Sequence, residues 1–329
     1  MRFIYLLFLP LFVTAQADSV RPLDARLSDY AYPYAVDTLR LESQQQPLEM
    51  LYMDERADQP NGKTVVLLHG KNFNGAYWAT TMEWLIRFGY RVIVPDQIGF
   101  GKSSKPERYQ YTFQQLADNT RQLLDHLGVD TTIVLGHSMG GMLAARFALM
   151  YPKQTEQLIL VNPIGLEDWK LKVPYRTIDA WYAREMDKSY DSIRAYQQAN
   201  YYDGQWEPAY DPWVNILAGW AQSEDYGLVA YNAALTYDMV FTQPVVYELP
   251  GLQVPTVFII GTRDRTALGK DLVSNAVAET MGRYDRLGRT ITDKIPGARL
   301  LELAGLGHLP HIEDFDRFAA ALEQALSGD

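Results

Sequence analysis

The sequence contains no cysteine, so disulfide bonds, a thiol nucleophile and a thiolate metal site are all excluded, and the fold must be stabilised by packing. Cations are also short: 30 Lys and Arg stand against 40 Asp and Glu, for a net charge of −10. Such a balance argues against nonspecific binding to nucleic acid or to an anionic membrane surface. Histidine is scarce, with five in 329 residues, so any acid–base chemistry has few histidines to draw on. No internal repeat or low-complexity tract appears, and no apolar run is long enough to span a bilayer, which takes about 20 residues.

One shorter apolar run opens the chain. In MRFIYLLFLPLFVTAQADSV, Arg2 precedes an apolar stretch from Phe3 to Val13, followed by Ala15-Gln16-Ala17. This pattern reads as a secretory signal cleaved after Ala17, with the mature chain beginning at Asp18. Removing residues 1–17, which hold Arg2 and no acid, takes the charge from −10 to −11. With no twin arginine and no cysteine to acylate, the expectation is a periplasmic or secreted protein with no membrane span in its mature form.

From Thr64 onward, short Val/Ile/Leu runs alternate with helical stretches. TVVLLHG, YRVIVPD, TTIVLG, QLILVNP, PTVFIIG and ARLLELAG predict buried parallel strands, separated by enough chain for crossover helices such as 76–88 and 113–127. VDTLRLES and LEMLYMDE predict an antiparallel start. The fold class is therefore α/β, with one mostly parallel sheet flanked by helices. Residues 165–250 interrupt the series and hold much of the aromatic content, including Trp169, Trp181, Tyr201, Tyr202, Trp206 and Trp220. They predict an inserted α-helical cap. Each ring taken alone reads as core of the cap, and together they suggest an aromatic pocket. The expected organisation is a core of residues 18–164 and 251–329 with the cap at 165–250 between them.

The segment VLGHSMGGML places Ser138 between Gly136 and Gly140, at the junction of a predicted strand and a predicted helix. A serine on such a sharp turn is held out at the tip of the sheet, and glycines are needed where side chains would strike neighbouring backbone. A serine hydroxyl is a weak nucleophile and needs a base with an orienting carboxylate. Asp264 lies in the loop after the PTVFIIG strand and His308 in the glycine-bearing loop after the last strand, giving the order Ser, Asp, His. Among the other histidines, His69 and His137 read as structural, His126 as surface, and His311 as the start of the final helix. Asp96 and Asp203 compete with Asp264 for the acid; Asp96 reads as a loop-fixing residue. Asn162, after the QLILVNP strand, supplies no carboxylate.

These motifs resemble the α/β-hydrolase fold from about Thr64 to Leu326. LLHGKNF resembles the family's HG loop, PDQIGFGKSSKP resembles a loop of capped epoxide hydrolase-like and dehalogenase-like members, and GHSMGG resembles the nucleophile elbow. The resemblance implies an eight-stranded type of sheet. It also implies an oxyanion hole built from the backbone N–H groups of Met139 and Lys71, with Asn72 as the second choice for the latter. Epoxide hydrolases and haloalkane dehalogenases attack with aspartate, so Ser138 argues against both activities. The expected activity is hydrolysis of a carboxylic ester, ahead of an amide, on a small to medium apolar substrate, with neither metal nor cofactor implied. The alternatives are a C–C bond hydrolase, whose usual HGxGPG loop is not matched by HGKNFNG, an acyltransferase, or a ligand-binding homologue without catalysis.

Overall fold

The computed structural model describes residues 20–327, so the signal-peptide reading of residues 1–17 lies outside the described residues. Eight strands form one sheet: β1 (Asp37–Ser43), β2 (Gln46–Glu55), β3 (Thr64–Leu68), β4 (Arg91–Pro95), β5 (Thr132–His137), β6 (Thr155–Val161), β7 (Thr256–Gly261) and β8 (Arg299–Leu303). Their order is β1-β2-β4-β3-β5-β6-β7-β8. β1 and β2 form an antiparallel hairpin, β2 is antiparallel to β4, and every pair from β4 to β8 is parallel. The hairpin turns on Gln44 and Gln45, both at positive φ (50° and 60°), the handedness that matches strand twist in a two-residue loop.

The central strands read as continuous apolar runs because both of their faces are covered. Val66, Leu68, Val134, Leu158, Leu160 and Phe258 belong to one apolar cluster, and Val65, Leu67, Ile133, Leu135, Ile159 and Val257 to another. Successive side chains of a strand point to opposite faces, so a sheet with two buried faces has no polar alternation. Helices α1 (Ala79–Arg87), α2 (Phe113–His126) and α3 (Met139–Met150) follow β3, β4 and β5 in the chain. The expected helix over 76–88 begins with a 3-10 turn, Gly75–Trp78, capped by the Asn74 side chain.

Between β6 and β7 the chain forms α4 (Ile178–Met186), α5 (Tyr190–Asn200), α6 (Asp211–Ala221) and α7 (Tyr226–Thr242). Of these, α4 packs on α7 and α5 on α6. The rings of this segment pair largely with one another: Trp181 stacks on Tyr237 at 4.7 Å, and Tyr202 on Tyr210 at 3.7 Å. After β7 come α8 (Asn275–Ala278) and α9 (Tyr284–Thr292), and after β8 come α10 (Pro310–Glu313) and α11 (Phe315–Ser327). The segment before β1 crosses from α6 to the core. Leu23 N donates to Gly219 O, Trp220 Nε1 donates to Asp24 O, and Tyr32 Oη donates to Asp96 Oδ2. Among the described residues no helix is long and apolar enough to cross a membrane.

Candidate active site

β5 ends at His137, α3 begins at Met139, and Ser138 between them has φ 58° and ψ −121°, a conformation that L-residues rarely adopt. A Cβ on Gly136 would lie 2.1 Å from Gly140 O, and one on Gly140 would lie 2.2 Å from Leu68 O. Backbone occupies both spaces, which is the physical reason for the two glycines. The turn is pinned by hydrogen bonds from Ser138 N to Val161 O (3.2 Å) and from Gly141 N to Ser138 O (2.9 Å).

The three widely separated residues meet at this turn. His308 Nε2 lies 2.9 Å from Ser138 Oγ, and His308 Nδ1 lies 2.7 Å from Asp264 Oδ2. An ionised carboxylate only accepts, so Nδ1 carries the proton and Nε2 is left free to accept from the serine hydroxyl. His308 and Asp264 are fully buried, and Ser138 keeps 6% of its surface exposed. Asp264 accepts two further bonds, from Thr266 N (2.7 Å) and Asn162 Nδ2 (2.9 Å). His308 is held by its own N–H to Tyr201 O (3.1 Å) and by the Tyr201 ring, stacked at 4.8 Å.

Of the remaining histidines, His69 and His137 are held by hydrogen bonds to their rings, and the His311 ring has none among the described residues. Gly70 N–H donates to Tyr77 Oη (2.9 Å), Tyr77 Oη lies 3.0 Å from His137 Nδ1, and His137 Nε2 lies 2.8 Å from His308 O. The tyrosine therefore donates to Nδ1, and Nε2–H donates to the carbonyl, tying the loop after β3 to the His308 loop through one neutral imidazole. Burial, followed by the neighbouring His308 and His311, holds His137 well below the usual histidine range. His69 Nε2 accepts from Gln97 N (3.0 Å), so its Nδ1–H donates to Gly70 O (2.9 Å). His311 is buried against Trp78, with ring centroids 4.6 Å apart. His126 is exposed at the end of α2. Asp96 accepts from Gly75 N and Lys102 N, each at 2.7 Å, and so fixes its loop.

Met139 is the first residue of α3, where helix N–H groups have no intrahelical partner and the dipole favours negative charge. Across from it, a Cβ on Gly70 would lie 3.1 Å from Ser138 Cβ, so the backbone leading into Lys71 and Asn72 runs beside the serine. The Lys71 side chain leaves this loop for the segment between β6 and β7, where its ammonium lies 3.4 Å from the centre of the Tyr237 ring. Among the described residues no three His, Cys, Asp or Glu side chains converge as metal ligands.

Sequence reasoning missed Asn162, Tyr77 and Tyr201 as supports of the site. Asn162 sits at the end of β6 with φ 37°, and its amide bridges Gly261 N and Asp264, an arrangement hinted at only by an Asn-Pro pair closing a strand. The expected aromatic pocket is also modified. A cavity of about 220 Å³ between the loop after β3 and the segment between β6 and β7 is lined by Tyr196 and Tyr237, but equally by Asn72, Arg184, Lys188 and Gln197.

Residues 63–315 match the alpha/beta hydrolase fold family. The chain belongs to this family. A crystal structure of a probable hydrolytic enzyme from Pseudomonas aeruginosa PAO1 is 51% identical, with a TM-score of 0.92, over 93% of this chain and 99% of that one. Lipase 3 of a Moraxella species is 26% identical over 80% of this chain and 77% of its own length. A cis-3-alkyl-4-alkyloxetan-2-one decarboxylase from Xanthomonas campestris is 38% identical over 35% of this chain, which spans only 40% of that relative's length. The chain thus has the α/β-hydrolase fold that the resemblance implies.

Proposed function

We propose that this protein is a serine hydrolase that cleaves a small to medium carboxylic ester, in preference to an amide, through an acyl-enzyme. The observation that carries the reading is the continuous relay from Ser138 Oγ to His308 (2.9 Å) and from His308 to Asp264 (2.7 Å). His308 Nε2 takes the hydroxyl proton as Ser138 Oγ attacks the ester carbonyl. Asp264 holds the ring in its reactive tautomer and stabilises the imidazolium. The N–H groups of Met139 and Lys71 receive the oxygen that becomes negative, and losing one such donor typically costs about 3 kcal/mol of transition-state stabilisation. His308 then protonates the departing alcohol, activates water against the acyl-enzyme, and the acid is released with Ser138 restored.

The test is turnover of short-chain and medium-chain 4-nitrophenyl esters, together with labelling by a fluorophosphonate probe. Ser138→Ala should lose both. Unchanged turnover in the variant overturns the assignment, and a wild-type chain that does not label yet binds ligand makes this a binding protein of the same fold. The amino-terminal reading adds a second element, a periplasmic or secreted location. Protein recovered outside the cytoplasm should begin at Asp18.

A further inference from the structure

Polar groups that lack partners stand on and beside the cavity lined by Tyr196 and Tyr237. Gln197 on α5 is 1% exposed and lines the cavity, yet neither its Oε1 nor its Nε2 has a hydrogen-bond partner among the described residues. Glu185 on α4 is 4% exposed; its Oε2 takes Lys188 Nζ at 2.7 Å while its Oε1 is unpartnered. Buried amides and charges without partners are costly, so a site that keeps several together is built for a polar group that is bound only part of the time.

The charges give that group a sign. Lys188 is neutralised by Glu185, and Arg184 by Asp271. Asp187, the acid on the cavity wall, is exposed to solvent. This leaves Lys71, which is not on the wall itself but whose ammonium rests on the wall residue Tyr237 and has no hydrogen-bond or ion-pair acceptor among the described residues. Burial lowers its pKa to about 7, with Glu185 opposing and Lys188 adding to the shift. An anion would restore what burial takes from this lysine. The position is connected to the chemistry, because Asn72 on the cavity wall donates to Tyr201 Oη (2.8 Å) and the Tyr201 ring stacks on His308. Lys71 itself starts in the loop beside Ser138, so the charge stands one lysine side chain away from the reacting carbonyl.

Building on the ester-hydrolase reading, we propose that the cavity under α4, α5 and α7 receives a carboxylate at the far end of the substrate's acyl chain, recognised by Lys71 with Gln197 and Lys188. The preferred substrates are then monoesters of short dicarboxylic acids, rather than the wholly apolar esters that the aromatic composition suggests. The volume of about 220 Å³ admits a chain of a few carbons and its carboxylate.

The experiment compares mono-4-nitrophenyl adipate with its neutral counterpart, 4-nitrophenyl methyl adipate. The wild type should favour the anionic ester by tenfold or more in kcat/KM. Lys71→Met should collapse that ratio and Lys71→Arg should keep most of it. The ratio is the readout because damage to the oxyanion loop slows both esters alike and leaves their ratio unmoved. Adipate should also raise the melting temperature of the wild type and not that of Lys71→Met, a result that needs no turnover. Equal rates on the two esters in the wild type, or a ratio and an adipate shift that survive Lys71→Met, overturn the proposal. Hydrolysis of the neutral ester with normal fluorophosphonate labelling would at the same time leave the serine-hydrolase reading standing. Absence of labelling would overturn that reading instead, with the adipate shift still deciding the cavity.

Discussion

Asn162 Nδ2 donates to Asp264 Oδ2 at 2.9 Å, and this is the same oxygen that accepts His308 Nδ1–H at 2.7 Å. The other end of the amide, Oδ1, accepts Gly261 N at 2.8 Å, so the side chain spans from the end of β7 to the acid. A carboxylate fixed in this way presents one defined lone pair to the imidazole. Asn162 has φ 37°, a conformation glycine accepts without strain. Asn162→Gly therefore isolates the loss of the amide. It should lower kcat on a 4-nitrophenyl ester by about tenfold with little change in KM, whereas Asp264→Asn, which leaves the wrong tautomer, should cost about 10⁴-fold. Equal kcat in wild type and Asn162→Gly would show that the two bonds to Asp264 from Thr266 and His308 suffice.

The elbow makes a stability prediction that separates two kinds of glycine. Gly136 and Gly140 have backbone atoms within 2.2 Å of where a Cβ would stand, so Gly136→Ala and Gly140→Ala should each cost more than about 4 kcal/mol and yield little soluble protein. Gly305 has φ 76° but nothing within 4 Å, so Gly305→Ala meets backbone strain alone and should cost about 1 kcal/mol. Urea unfolding of the soluble variants, and expression yield for the others, checks the contrast.

Much of this was legible in the sequence because parallel strands buried on both faces must be written as unbroken Val, Ile and Leu. All six expected strands from Thr64 onward, and the two before them, coincide with β1–β8 within a residue or two. Ser138, Asp264 and His308 were legible because strand ends bring distant loops to one edge, so order along the chain was enough to suggest a meeting point. The cap resisted. Its composition announces rings, yet whether a ring such as Tyr237 faces a cavity or packs on Trp181 depends on helix–helix angles that a single periodicity does not encode. Asn162 was hidden for a related reason. Its importance lies in a neighbour 102 positions away in sequence, on a strand paired beside its own.

The segment before β1 is a strap whose removal should loosen α6 and α7. Leu27 is fully buried in a cluster with Ile216, Trp220, Tyr226 and Val229 from α6 and α7, while Arg26 reaches Glu49 on β2 at 2.7 Å. One short stretch thus grips α6 and α7 with its apolar side chain and the sheet with its charged one. Leu27→Ala should destabilise the chain by about 2–5 kcal/mol, the usual range for emptying a buried leucine site. Arg26→Ala, whose ion pair is partly exposed, should cost about 1 kcal/mol or less. Urea midpoints of the two variants test this ordering, and a larger loss for Arg26→Ala would assign the strap's grip to the sheet.

His311 should make the fold sensitive to mild acid. Its ring is buried against Trp78, neither nitrogen has a hydrogen-bond partner among the described residues, and burial, followed by the neighbouring His308, lowers its pKa to about 3. In the unfolded chain the same ring titrates near pH 6.5. Between about pH 6.5 and pH 3 the unfolded state therefore binds a proton that the folded state refuses, so this group's contribution to stability is present above pH 6.5 and is lost as pH falls. The slope is about 1.4 kcal/mol per pH unit, or about 2 kcal/mol between pH 6.5 and pH 5. His311→Phe keeps an aromatic ring beside Trp78 and removes the titration. Its unfolding free energy should fall less than that of the wild type when the buffer is moved from pH 7 to pH 5, by about 2 kcal/mol. His69 and His137 are also held below the usual range by burial, so the variant should flatten the acid dependence without abolishing it. Parallel curves for the two proteins across this interval would mean that His311 takes up a proton inside the folded protein.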